Sequence, residues 1–113
     1  MKLSDIAEKL DLASRTPDAS LDAEVSGGYA SDLLSDVMAH SKAGNLWVTL
    51  QAHPNIVAVA ALRDLAGIVL VRGREPQEDT LEKAREEGVP VLVSRMDGFE
   101  LVGRLYEMGI GRK

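Results

Sequence analysis

The chain has 113 residues, 45% of them hydrophobic and 27% charged, with a formal net charge of −5. That balance excludes a disordered chain and fits one domain with a real core, while the acidic total excludes a general phosphate-backbone binder, which would carry a basic face. There is no cysteine, so disulfides, thiolate metal sites and thiol catalysis are excluded, and a reducing compartment fits.

The first ten residues, MKLSDIAEKL, are charged and amphipathic and lack the apolar run of a secretory signal. Leu3, Ile6, Ala7 and Leu10 share one face of a helix over residues 3 to 10, with Ser4 and Asp5 suited to its start. The same stretch looks like the first helix of a helix-turn-helix, but Thr16-Pro17-Asp18 follows where a second helix would begin. Residues 12 to 15 form a short strand and the Pro-Asp pair turns the chain. Leu21, Ala23 and Val25 alternate with Asp22 and Glu24, the pattern of a half-buried strand running into Gly27-Gly28. The two glycines are read as a sharp turn, and a helix over 31 to 42 follows with Leu33, Leu34, Val37 and Met38 inward. Ser31 or Asp32 is placed to cap it.

A strand–helix pattern then repeats. LWVTL (46 to 50) is a strand, and a helix opens beside Pro54 and runs to Gly67. Residues 68 to 71 are a continuous apolar strand followed by a polar loop, 72 to 77. Residues 78 to 87 are an exposed helix closed by Gly88. Residues 89 to 93 are a further strand, whose Pro90 marks a strand start or an edge. Residues 98 to 108 form the last helix. The longest apolar stretch, residues 56 to 62, is too short to span a bilayer, so no membrane partner and a cytoplasmic location are expected. With four aromatic residues, the core must rest on Leu, Val, Ile and Ala.

Alternation of strands with ten-residue helices predicts a three-layer α/β/α domain with a mainly parallel central sheet. No repeat or linker divides the chain, so residues 1 to 113 are read as one domain. In such sheets ligands lie beyond the carboxyl ends of the strands. The residues just past each strand are polar, glycine-bearing and locally basic: Ser26, Gly27, Gly28, Ser31 and Asp32, then Gln51, His53 and Asn55, then Arg72 and Arg74, then Ser94, Arg95 and Asp97. The expected ligand site is therefore Gly27, Gly28, Ser31, Asp32, Gln51, His53, Asn55 and Arg72, suited to a phosphate or carboxylate.

The glycine pair matches neither the P-loop nor the dinucleotide fingerprint. Ser31 lacks a recognisable base and strained elbow, and His53 has only His40 as company. No catalytic residue, metal site or cofactor is assigned on these grounds. A small anion or nucleotide ligand and no nucleic acid are the partners expected. Exposed apolar positions on the helix of residues 31 to 42 and on the last helix add a homodimer.

Three blocks, GGYASDLLSDVM, LWVTLQAHPNIVAVAALRDLAGIVL and DTLEKAREEGVPVL, resemble the DRTGG-domain family in order, from about Glu24 to Gly109. Members of that family occur alone and as parts of phosphotransacetylases and CBS-domain pyrophosphatases. Their fold is similar to the N-terminal domain of HPr kinase and, more distantly, to that of Mur ligases. The resemblance implies a regulatory or dimerising module and carries no catalytic residue across. The family's name-giving motif falls on Glu24-Val25-Ser26-Gly27-Gly28, where Glu stands for Asp, Val for Arg and Ser for Thr. Loss of that Arg removes a bidentate anion clamp; Arg72 and Arg74, on another loop, are the candidates to replace it, which spacing does not decide. The function expected is a non-catalytic, ligand-sensing and dimerising module. The alternative is a small phosphotransfer or hydrolytic enzyme using Asp32 and His53.

Overall fold

In the computed structural model, which describes residues 1–112, four parallel strands and one short antiparallel strand form a single sheet. In chain order the elements are α1 (Leu3–Lys9), β1 (Ala13–Ser14), β2 (Gly27–Ala30), α2 (Leu34–His40), β3 (Asn45–Thr49), α3 (Asn55–Leu62), β4 (Gly67–Leu70), α4 (Glu78–Glu87), β5 (Val91–Val93) and α5 (Gly98–Glu107). The spatial order is β1-β5-β4-β3-β2. The strands β2 to β5 are laid down successively in one direction, so right-handed crossovers put α2, α3 and α4 on one face. The other face is left to α1 and α5. This is the three-layer, mainly parallel α/β/α architecture expected.

The period-two alternation of the strands divides the core. Leu46, Val48, Val69 and Leu92 meet Leu3 and Ile6 of α1 and Leu101 and Leu105 of α5. Trp47, Ile68, Leu70, Val91 and Val93 meet Val37 of α2, Ile56 and Val57 of α3 and Ala84 of α4. Trp47, Leu46, Ile68, Leu70 and Leu92 have no exposed surface, as expected for parallel strands covered on both sides. Pro90 stands just before β5, the strand start its missing N–H requires. Thr16 and Thr80 are buried but satisfied: the Val91 N–H donates to Thr16 Oγ1 (3.1 Å), and Thr80 Oγ1 donates to the Ala52 carbonyl (2.6 Å).

Three local readings are corrected. Residues 21 to 25 are not a sheet strand, because their carbonyls serve the start of α1. The N–H of Leu3 donates to the Ala23 carbonyl (3.0 Å) and that of Ser4 to the Leu21 carbonyl (2.8 Å). These are among the first N–H groups of a helix, which have no partner within it. Gly27 and Gly28 form no turn; they are the first half of β2, and neither has a positive φ. Gly27 sits in a tight place: a Cβ there would lie 3.3 Å from Asn45 Nδ2, which would have to give way by a few tenths of an ångström. The left-handed turn lies instead at Gly44 (φ +81°), where a Cβ would fall 2.7 Å from Ser26 Oγ.

The third correction concerns α2, which starts at Leu34 and not at Ser31, with Leu33 as its N-cap and no side-chain cap. The Ser31 N–H still follows the sheet ladder, donating to the Val48 carbonyl (3.2 Å), and the Asp32 carboxylate is engaged elsewhere. Of the four residues expected inward on this helix, Val37 is fully buried and Leu34 partly so. Leu33 is 64% exposed and Met38 37%.

Candidate ligand-binding cleft

The loops that follow the strands are stitched together at the carboxyl edge of the sheet, and Asp32 is the principal tie. Its Oδ1 accepts from Thr49 Oγ1 (2.8 Å) and from the Leu50 N–H (2.7 Å), fastening the loop after β2 to the loop after β3. Gln51 closes the loop from the other side, its Nε2 donating to the Asp32 carbonyl (3.0 Å) and its N–H to Thr49 Oγ1 (3.1 Å). Beneath them the Trp47 indole donates to the Ser31 carbonyl (2.8 Å). A charged acceptor shared by two donors makes a stronger tie than a neutral one.

A second tie joins the loop after β4 to the loop after β5. Arg72 and Gly73 both adopt positive φ, +58° and +67°, a conformation unfavourable for an arginine. It is held by the Arg72 N–H donating to the Met96 carbonyl (2.8 Å) and the Gly73 N–H donating to the Ser94 carbonyl (2.7 Å). Asp97 then caps α5, its Oδ1 accepting from the Glu100 N–H (2.9 Å). The cap is followed by Gly98 and by Phe99, which is 94% exposed.

Between the two ties lies an open cleft of about 470 Å³. Its walls are Ala30 at the end of β2 with Ser31 and Asp32 after it, Val48, Thr49 and Leu50 of β3 and its loop, Val71 and Arg72 after β4, and Asp97, Gly98 and Phe99 at the start of α5. Arg72 and Asp97 also border an adjoining polar hollow of about 450 Å³ with Arg95, Met96 and Glu100. On the sheet face under α5, a smaller apolar hollow of about 230 Å³ runs from Gly28 and Ala30 to Val102, Tyr106 and Gly111.

The eight residues expected at the site are thereby separated. Ser31, Asp32 and Arg72 line the main cleft, and Gln51 supports it through Asp32. Gly28 belongs to the apolar hollow, while Gly27 lines neither and sits at the amino end of β2. His53 and Asn55 are exposed at the start of α3 and pair with each other, the Asn55 N–H donating to His53 Nδ1 (3.2 Å). Sequence reasoning did not assign Thr49, Leu50, Val71, Gly98 or Phe99 to the site. For Phe99 a signal existed: Leu101 and Leu105 define the buried stripe of α5, and a residue two before Leu101 falls on the opposite side of a helix.

The stretch Glu24 to Gly28 clamps the amino end of β2. Glu24 Oε2 accepts from the terminal ammonium of Met1 (3.0 Å), Val25 is buried, and Ser26 Oγ donates to the Ala43 carbonyl (2.8 Å). Next to the cleft, the Tyr29 hydroxyl donates to Asp36 Oδ1 (2.8 Å). Hydrogen bonds from the Ser31 and Tyr29 hydroxyls hold the Asp36 carboxyl below the ordinary carboxylate range, and the Asp36 bond raises the Tyr29 phenol. Among the described residues no three His, Asp or Glu side chains gather as a metal ion would require, and no helix is long and apolar enough to cross a membrane.

These features define a class: a small α/β module whose polar loops converge beyond the carboxyl ends of a parallel sheet. The DRTGG domain model matches residues 20–108, and the chain belongs to the DRTGG domain family. A solved structure of the same fold is that of the CBS and DRTGG domains of the regulatory region of Clostridium perfringens pyrophosphatase, complexed with its activator, diadenosine tetraphosphate. It matches with a TM-score of 0.67 and 14% identity over 92% of this chain. At that identity the likeness is one of fold. This chain spans 45% of that neighbour's length. No curated protein matches the chain.

Proposed function

We propose that the chain is a non-catalytic regulatory module that binds a small anion or nucleotide in the cleft and pairs with a second copy of itself. The observation that carries the ligand reading is the Arg72 turn: a strained left-handed arginine, fastened from two sides, at the mouth of a cleft whose acids are already engaged. The enzyme reading would need Asp32 and His53 to act on one substrate. The bonds of the Asp32 carboxylate instead tie two loops, and His53 bonds Asn55 away from the cleft lining. The DRTGG-containing neighbour is a regulatory region bound to a nucleotide activator, which supports control of a partner enzyme as the role of this module.

The pairing reading rests on β2, the edge strand of the sheet. In a parallel ladder alternate residues face the neighbouring strand, and the Ser31 N–H faces β3. The backbone groups of Gly28 and Ala30 therefore face outward, and both residues are exposed. Beside them on α5 stand Val102, 39% exposed, and Tyr106, 60% exposed. A two-fold axis along this edge would cover all four residues.

A thermal-shift screen of nucleotides, acyl phosphates and metals, with turnover followed in parallel, tests the ligand reading. Stabilisation without turnover is expected, whereas turnover abolished by Asp32→Asn or His53→Ala would overturn it. Light scattering tests the pairing: twice the 12.2 kDa chain mass is expected, falling to one chain in Tyr106→Asp. A wild-type mass of one chain would refute pairing.

A further inference from the structure

Resting on the ligand reading above, we infer that the cleft and its adjoining hollow form one two-lobed site for a ring-bearing phosphate of the nucleoside monophosphate class, with Phe99 as the ring platform and Arg72 and Arg95 as the phosphate clamp. The two lobes have different chemistry. Phe99, Val71, Leu50 and Ala30 give the larger lobe apolar walls, and Phe99 among them is almost wholly exposed. The smaller lobe carries two guanidinium groups, Arg72 and Arg95, and Arg72 stands on the border of both. A ligand filling both lobes must be apolar and flat at one end and anionic at the other.

With Arg104 counted beside its partner Glu100, three guanidiniums balance three carboxylates around the two lobes, so an anion is recognised by the Arg72 and Arg95 donors and not by a positive field. Three carboxylates border the site, and each has an internal partner. Asp32 holds Thr49 and Leu50, Asp97 caps α5, and Glu100 pairs with Arg104 (3.3 Å). Among the described residues Arg72 and Arg95 make no ion pair. Two guanidiniums without ion-pair partners, both bordering the smaller lobe, offer donors of the kind that bind phosphate oxygens. A ring stacked on an aromatic face is held whatever its edge chemistry, so the platform selects for a ring, and the guanidiniums select for the phosphate. Both lobes lie within the volume range of small-molecule sites.

Isothermal titration of the full chain with adenosine 5′-monophosphate, adenosine, inorganic phosphate and acetyl phosphate tests the inference. The monophosphate should bind at least about tenfold more tightly than any of the other three, because only it fills both lobes. Phe99→Ala should weaken monophosphate binding by about tenfold, the worth of one stacked ring, and leave phosphate binding unchanged. Arg72→Gln and Arg95→Gln should each weaken both. The three side chains are exposed, so circular dichroism should match wild type. Four results overturn the inference. One is equal affinity for acetyl phosphate and the monophosphate. A second is monophosphate binding that survives Phe99→Ala and Arg72→Gln together, which would leave the regulatory ligand reading standing with its site elsewhere. A third is a change in assembly mass on Phe99→Ala, which would assign that ring to the second copy. The last is no heat with any of the four compounds; the broader screen then judges the ligand reading by itself.

Discussion

Replacing Asp32 separates its structural part from a catalytic one. Asp32→Ala removes one acceptor from two donors, Thr49 Oγ1 at 2.8 Å and the Leu50 N–H at 2.7 Å. A hydrogen bond to a charged group contributes about 1.5–3 kcal/mol, and leaving a buried donor unsatisfied costs a further desolvation penalty. Thr49 is buried, but Leu50 and Asp32 are exposed and water can replace part of the loss. The two bonds together are therefore discounted to about 2 kcal/mol. In a domain of this size that lowers Tm by about 8 °C. Asp32→Asn keeps an oxygen at the same place and should lose only about a third as much. Thermal melts followed by circular dichroism give both values. Fluorescence of Trp47, the single tryptophan, reports the neighbouring Ser31 carbonyl to which it donates. Asp32→Ala melting within about 1 °C of wild type would refute the tie. Equal losses in Ala and Asn would show that charge, and not the position of the acceptor, does the holding.

Gly44→Ala combines a positive φ with a 2.7 Å clash against Ser26 Oγ, whereas Gly88→Ala has the positive φ and open space. Chemical denaturation should show a loss of about 1 kcal/mol for Gly88→Ala and at least twice that for Gly44→Ala. Thr16→Val takes the acceptor from the buried Val91 N–H and should cost about 1–3 kcal/mol by the same measurement. The Asp36 and Glu75 carboxyls are lowered, Asp36 by the Ser31 and Tyr29 hydroxyls and Glu75 by its hydrogen bond from Arg15. A lowered folded pKa contributes stability that is complete above the unfolded value and is lost as the pH falls through the folded one. Acid titration of Asp36→Asn should therefore show a shallower fall in Tm than wild type below about pH 4; identical slopes would show that these bonds do not favour the charged form.

The fold is legible because parallel strands covered on both faces are written as apolar runs, and helices of seven to ten residues stand between them, two of them marked by Pro54 and Gly88 at an end. LWVTL, GIVL and VLV needed no more than that. The start of β2 was not legible. Its glycines carry no side-chain signal for a strand, and the alternation of residues 21 to 25 is equally well used in holding the first N–H groups of α1. That reading of a turn is what puts Gly27 and Gly28, which lie in the first half of β2, among the expected site residues. The loops were correctly placed at the carboxyl edge, but sequence could not tell that Asp32 would fasten Thr49 while His53 turned to Asn55. Such pairings depend on which loops the strand order makes neighbours, and the order β1-β5-β4-β3-β2 is set by long-range packing.

Amide chemical shifts followed while inorganic phosphate and adenosine 5′-monophosphate are titrated into isotope-labelled protein test most directly that the carboxyl-edge cleft is where this module senses its ligand. Saturable shifts are expected at Ser31, Leu50, Gly73, Gly98 and Phe99, together with the Trp47 indole N–H that donates to the Ser31 carbonyl. Shifts centred instead on Tyr106 and Gly111, or on His53 and Asn55, would contradict that claim.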